Sequence, residues 1–249
     1  MSERQATYDR HLAGVSRSFA ACIAELEQPL RRYVGLSYLL CRLLDTLEDA
    51  PWPCRRAQHQ SLLWLDRAVR AEPEGASVLA WQATLPADVP PAEAALLADA
   101  RSLLADLHAL PARVRRTLQR TLSAMSVGMR RFLRQERRGP PSPLRLASLA
   151  EVNRYCFVVA GVVGTLLTRL LALCEPTFRS SPAIEHDAVH FGLLLQKVNL
   201  LKDQATDERE GRFLVPDREQ LVATLGAHAT YAARYLLRLP VRALKQISA

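Results

Sequence analysis

The 249-residue chain predicts an all-α fold, and three observations carry the prediction. Its composition is rich in Ala, Leu and Arg, with only 10 glycines and 6% aromatic residues, a balance that favours helix. Apolar residues recur at helical spacing along most of the chain, and no strand-length alternation stands out. Breaks rich in proline separate the periodic stretches. The periodicity places helices at about 8–26, 29–49, 55–71, 92–108, 112–136, 148–174, 184–208 and 217–237. Pro29 suits the start of the second helix, and Pro51 and Pro53 stop it promptly. Residues 72–91, rich in Pro and small side chains, read as a loop, and 137–143 (RRGPPSP) as a second break. Neither is a domain linker, because each separates two acidic motifs that would need to meet. One domain over residues 1–249 is expected.

The bulk properties narrow the function. With 49% apolar and 23% charged residues the chain is a globular protein. A net charge of +8 and a pI near 9.7 favour anionic partners. No nucleic-acid motif, zinc-finger spacing or Gly-rich phosphate loop is present, so nucleic acid is not expected as a partner. The five cysteines, Cys22, Cys41, Cys54, Cys156 and Cys174, form no CxxC pair, and reduced core thiols in a cytoplasmic protein are expected. The polar N-terminus carries no signal-type apolar core. The most apolar segment, 156–174, contains Arg169, Gly161 and Gly164 and reads as a buried central helix rather than a membrane span. The basic surface also suggests peripheral contact with an anionic membrane.

Two acidic pairs carry the chemistry. Asp45 and Asp49 are four residues apart, as are Asp203 and Asp207. On a helix that spacing advances about 400° with roughly 6 Å of rise, so each pair shares a face. Carboxylates with open oxygen positions suit Mg²⁺, which takes one or two protein carboxylates and completes its shell with water and substrate phosphate. Tyr38 and Arg42 extend the first stripe, and Glu48 can either reach the same space or turn outward. Gln196 and Asn199 extend the second at spacings of three and four, on a helix that Leu193, Leu194, Val198, Leu200 and Leu201 would pack. An acidic pair alone is usually a solvated face. A carboxamide and two carboxylates on a helix otherwise suited to burial need partners. Lys202, Arg209 and Arg212 could meet phosphate oxygens, as could Ser16, Arg17 and Ser18, where two hydroxyls flank a guanidinium. Tyr155 offers one hydroxyl in an apolar stretch, for which a local hydrogen-bond partner is the ordinary explanation. His186 and His190 have metal-capable spacing but no third ligand, so capping or surface roles are expected.

Taken together, these segments resemble the squalene/phytoene synthase family, the head-to-head branch of trans-isoprenyl diphosphate synthases. The matching stretches are 15–20 (VSRSFA), 38–49 (YLLCRLLDTLED), 125–129 (MSVGM), 155–164 (YCFVVAGVVG), 195–203 (LQKVNLLKD) and 211–216 (GRFLVP), in the family's order. The resemblance implies an isoprenoid-synthase bundle whose central cavity holds two prenyl diphosphates. By position, Asp45, Asp49, Asp203 and Asp207 would hold Mg²⁺, with Asn199 and Gln196 assisting. Ser16, Arg17, Ser18 and Arg42 would contact diphosphate, Phe19 and Tyr38 would line the apolar chamber, and Tyr155 matches a tyrosine implicated in the reaction. Asp45-Thr-Leu-Glu-Asp49 and Gln196-Lys-Val-Asn199 are similar to the squalene-synthase form. That form implies coupling of two farnesyl diphosphates through presqualene diphosphate to squalene, with NADPH bound without a Rossmann fingerprint. Phytoene-type coupling, arrest at the cyclopropyl diphosphate, terpene cyclisation and a non-catalytic assembly role are the alternatives. Relatives generally continue through further C-terminal helices, so an abbreviated end to the bundle is expected here, and oligomeric state is left open.

Overall fold

A computed structural model describes residues 3–135 and 144–240. The expected break at 137–143 lies outside them. The described residues form thirteen α-helices: α1 (Glu3–Val15), α2 (Arg17–Ala24), α3 (Leu30–Asp49), α4 (Arg55–Arg70), α5 (Gly75–Gln82), α6 (Pro91–Ala98), α7 (Ala100–His108), α8 (Ala112–Gln135), α9 (Leu149–Cys156), α10 (Val162–Cys174), α11 (Pro182–Arg209), α12 (Arg218–Ala223) and α13 (Leu225–Arg238). A π-helical turn, Phe157–Gly161, joins α9 to α10 without a break. Among the described residues the extended pairing is limited to one isolated bridge between Arg145 and Phe213. The all-α expectation holds.

Helix α3 is the axis of the larger core. Leu36, Leu39, Leu40, Leu43, Leu44 and Leu47 are buried together with Leu62 and Leu65 of α4, Leu103 and Leu107 of α7, and Met125 and Met129 of α8. Each such side chain contributes about 1.5–3 kcal/mol by leaving water. With one flank so anchored, Arg42, Asp45 and Asp49 are set on another. A second core joins Phe132 of α8, Val152 and Tyr155 of α9, and Leu193 and Leu200 of α11. This core fixes the second acidic helix relative to Tyr155.

Several boundaries differ from the sequence reading. The expected 8–26 helix divides at Ser16, which is extended (φ −165°, ψ 99°). The 92–108 helix bends at Asp99, whose carboxylate lies 2.6 Å from His11 Nε2. The last helix divides at Thr224. The 72–91 loop contains α5, anchored by buried Val78 and by Trp81, which stacks on Trp64 and donates to Ser61 Oγ at 2.7 Å. Two anchoring residues in a Pro-rich stretch are too few to show as periodicity. Helix 149–174 is long and apolar enough to cross a membrane. Here it packs among α3, α8 and α11 with Leu166 and Leu170 fully buried, while Phe157 and Leu173 are exposed. Of the cysteines, Cys41 and Cys156 are buried thiols and Cys174 is half-buried, but Cys22 and Cys54 are exposed, so the expectation of core thiols fails for those two.

Glycine seats the second acidic helix, α11, against α10 and the π turn. A Cβ on Gly164 would lie 2.1 Å from the Ala188 carbonyl oxygen, and one on Gly192 would lie 2.4 Å from that of Ala160. Helices α10 and α11 therefore touch backbone to backbone, and the bulged Ala160 carbonyl of the π turn rests over Gly192.

Candidate active site

Helices α3 and α11 face each other across a cavity of about 330 Å³ lined by Arg42, Asp45, Glu48, Asp49, Tyr155, Gln196, Asn199, Asp203, Asp207 and Arg212, among others. Eight of the sequence-derived candidates thus meet in one place. Burial raises the carboxyls here: Asp45 is pushed up to about 7, with Asp49 adding to the effect and Arg42 opposing it. Glu48 is raised well above the carboxylate range by burial and by Asp49 and Asp45. Asp49 and Asp207 are also raised, burial outweighing the nearby Arg212. This collection of acids is short of positive charge.

Glu48 turns inward. Its Oε2 accepts from the Tyr155 hydroxyl at 3.3 Å, while its buried Oε1 has no hydrogen-bond partner. Sequence spacing left Glu48 undecided; its hydrogen bond with Tyr155 and its place in the cavity wall show that it faces the site. Tyr155 is 6% exposed, and its hydroxyl is raised above its ordinary value by burial and then by Glu48. Arg42 donates to Glu93 at 2.7 Å; burial works against its charge, but Glu93 and Asp45 keep the guanidinium protonated.

Arg212 is a site residue whose full position the sequence did not reveal. Its guanidinium contacts Asp49 of α3 and lies 2.7 Å from Asp207 and 3.0 Å from Glu210 of the α11 end. It also lines a neighbouring chamber of about 800 Å³ with Arg42, Arg55, Trp52, Pro90 and Leu133.

The residues fit a hard divalent cation by donor chemistry, not as a finished cage. Among the described residues no group of three His, Cys, Asp or Glu side chains is poised to hold a metal. The orphaned Glu48 oxygen has no partner and Arg42 and Arg212 do not offset the burial of the raised carboxyls, while Mg²⁺ normally completes such a set with water and substrate phosphate.

Ser16, Phe19 and Tyr38 stand apart from this cavity's walls. Tyr38 packs against Phe19 (ring centroids 5.5 Å apart) and faces Ser16; burial raises its hydroxyl, and Ser16 opposes the shift. This second group connects to the acidic cavity through the α3 stripe from Tyr38 to Arg42. The side chains of Arg17 and Ser18 lie outside the described set. The cavity is open at its rim, where Asn199 and Asp203 are exposed; Leu195, Val198 and Phe157 are also exposed but do not line it. His186 and His190 do not cap α11. They lie beside Tyr231, with His190 Nδ1 2.8 Å from His228 Nδ1.

Opposed acidic helices within an all-α bundle are the architecture of an isoprenoid-type synthase. The chain superposes on a solved ligand complex of TcSQS with a TM-score of 0.79 at 22% identity, covering 99% of this chain and 75% of that one. A dehydrosqualene synthase in complex with ligand gives a TM-score of 0.55 at 21% identity, over 98% and 77%. The squalene/phytoene synthase family model matches residues 12–244, and the chain belongs to that family. It is 31% identical to the squalene synthase of Eremothecium gossypii over 209 residues, which are 82% of this chain and 44% of that protein. Against the squalene synthase of Bos taurus it is 31% identical over 219 residues, 87% and 47% respectively. The chain spans less than half the length of these relatives.

Proposed function

We propose that this protein catalyses Mg²⁺-dependent head-to-head condensation of two prenyl diphosphates, joining two farnesyl diphosphates to presqualene diphosphate and then forming squalene with NADPH. One observation carries the reading: two distant aspartate pairs confront each other across a single cavity that also holds Tyr155 and Gln196. Asp45, Asp49, Asn199, Asp203 and Asp207, with Glu48 added by its orphaned oxygen, supply the donors for magnesium. Bound there, the metal neutralises the diphosphate leaving group as its allylic C–O bond breaks. Arg42, Ser16, Arg17 and Ser18 would bind and orient diphosphate oxygens. Tyr155, held by Glu48, would present its hydroxyl to the group losing or gaining a proton near the departing diphosphate. Phe19 and Tyr38 offer π-faces to a carbocation. For the reductant, the 800 Å³ chamber beside the site is the neighbouring space, lined by Arg42, Arg55 and Arg212 together with the carboxylates of Glu48, Asp49, Asp88, Glu93 and Glu210 around Trp52. NADPH bound there would supply the hydride for the second half-reaction. The exposed Leu195, Val198 and Phe157 and the basic net charge support peripheral membrane contact, where an oily product would partition.

The test is incubation with farnesyl or geranylgeranyl diphosphate, with and without NADPH, followed by mass spectrometry. Squalene with NADPH and presqualene diphosphate without it are expected, and Asp45→Ala or Asp203→Ala should remove both while the fold is kept. Phytoene, a cyclised product, or unchanged turnover in the double variant would overturn the assignment.

A further inference from the structure

The two acidic helices are already bridged by a cation, and that cation belongs to the chain. Arg212 reaches Asp49 on α3 with one terminal nitrogen and Asp207 on α11 with the other, at 2.7 Å; the latter also lies 3.0 Å from Glu210. A guanidinium on these carboxylates takes up part of their lone-pair capacity and repels a second cation brought to the same oxygens, so Arg212 and a divalent metal compete for Asp49 and Asp207.

The backbone beneath Arg212 is fixed. Helix α11 ends with Gly211 at φ 80°, its N–H bonded to the Glu208 carbonyl at 3.1 Å, and the Arg212 N–H returns to the Asp207 carbonyl at 2.7 Å. This is a Schellman ending, for which glycine is the residue that accepts the left-handed conformation. The following residue is locked too, with Phe213 N–H donating to the Leu144 carbonyl at 2.7 Å and Leu146 N–H to the Phe213 carbonyl at 3.0 Å. Only the side chain of Arg212 is left to move. It stands at the partition between the 330 Å³ acidic cavity and the 800 Å³ chamber, lining both. Its Nε is buried with no hydrogen-bond partner while its terminal nitrogens face carboxylates. The present pose therefore leaves one donor unused.

We propose that Arg212 is an internal counter-cation that closes the acidic cavity before metal arrives, and that divalent metal displaces it so that its guanidinium turns onto the incoming diphosphate. This deepens the prenyl diphosphate reading and rests on it. The exchange keeps the site from carrying several adjacent unbalanced carboxylates. It also couples metal loading to the readiness of an anion-binding donor. Arg212 is a positioning residue in the first state and a diphosphate ligand in the second.

Calorimetric titration of the full chain with MgCl₂ alone, and with MgCl₂ plus inorganic pyrophosphate, separates the two states. In Arg212→Gln, magnesium alone should bind about 5–10-fold tighter, while magnesium-dependent pyrophosphate binding should weaken about 10-fold. The opposite signs are the signature, since a merely structural loss would weaken both. Arg212→Lys keeps a charge but loses the fork, so an intermediate result is expected, and it serves if the Gln variant does not fold. Arg209, which donates to the Ala205 carbonyl and the Thr206 hydroxyl, controls for net charge. Arg209→Gln should leave magnesium affinity within about 2-fold. Unchanged or weaker magnesium binding in the Arg212 variants, or an equal gain in Arg209→Gln, overturns the exchange. If wild-type protein binds no pyrophosphate with magnesium, the diphosphate reading falls together with it. Normal wild-type pyrophosphate binding with unaltered metal affinity in Arg212→Gln removes the exchange alone.

Discussion

Gly192→Ala should disrupt the relation between the two halves of the site, although residue 192 touches none of the proposed ligands. The added methyl would stand 2.4 Å from the Ala160 carbonyl oxygen, 2.8 Å from its carbon and 3.1 Å from the Gly161 Cα. All three are backbone atoms, so no rotamer change relieves the clash. Restoring ordinary contact requires α11 to withdraw from the π turn by about 1 Å or more, and such overpacking costs about 2–3 kcal/mol. For a chain of this size that lowers the melting temperature by about 5–10 °C. The same shift moves Asn199 and Asp203 away from Tyr155, so the coupling rate should fall at temperatures where the variant is still folded. Two further glycines calibrate the measurement. Gly128→Ala meets only the Val158 side chain, at 2.5 Å, and should be milder. Gly226→Ala has nothing within 4 Å, in a helix, and should be neutral or stabilising by up to about 1 kcal/mol. Thermal unfolding of the three, followed by turnover well below each midpoint, decides the matter. If Gly192→Ala melts with Gly226→Ala, the backbone contact does not set the spacing of the site.

Two pH dependences follow. In metal-free protein, burial raises the Asp45 carboxyl to about 7, so the folded state keeps a proton that the unfolded chain releases near 3.8. Stability is therefore lost as pH rises through that interval. Asp45→Asn should escape the loss and be about 1–3 kcal/mol more stable at pH 8, discounted for solvent in the cavity, while losing magnesium binding. Identical urea midpoints at pH 8 would refute this. Across α11 the sign is opposite. Lys197 is fully buried and donates to His228 Nε2 at 2.7 Å and to Thr224 Oγ1 at 2.9 Å. His228 is held down to about 4 by burial, then by Lys197 and His190. A depressed histidine contributes stability that is fully present above pH 6.5 and lost as pH falls towards 4, about 2–3 kcal/mol in this case. His228→Gln keeps an acceptor for Lys197 and should flatten that difference; parallel stability curves for variant and wild type between pH 4 and 7 would refute it.

The acidic pairs, Gln196, Asn199 and Arg42 were legible as shared helix faces because helical spacing is a property of the sequence, whereas Tyr155 was singled out for the reaction only by the family resemblance. Burial of the α3 leucines was legible for the same reason. Tyr38 read as an extension of the acidic stripe, yet it packs against Phe19 of α2 and none of Ser16, Phe19 and Tyr38 lines the acidic cavity. Helix α5 was hidden because Val78 and Trp81 alone anchor it, and Lys197 was hidden because a lysine in sequence reads as surface. His190 and His228 lie 38 residues apart, beyond the reach of any periodicity argument.

What remained illegible shares one cause, the position at which the backbone departs from regular helix. The π turn at Phe157–Gly161 inserts its extra residue just after Tyr155, the residue whose hydroxyl meets Glu48. The left-handed Gly211 ends α11 and sends Arg212 back over Asp207 towards Asp49. In each place two or three dihedral angles choose which donors converge, while the composition around them would permit several registers. The chemistry of this site is therefore written in its side chains, but its charge balance is set by two local irregularities. A variant that regularised either one, such as a non-glycine at 211, should leave every proposed ligand in the sequence and still separate Arg212 from the carboxylates that it now neutralises.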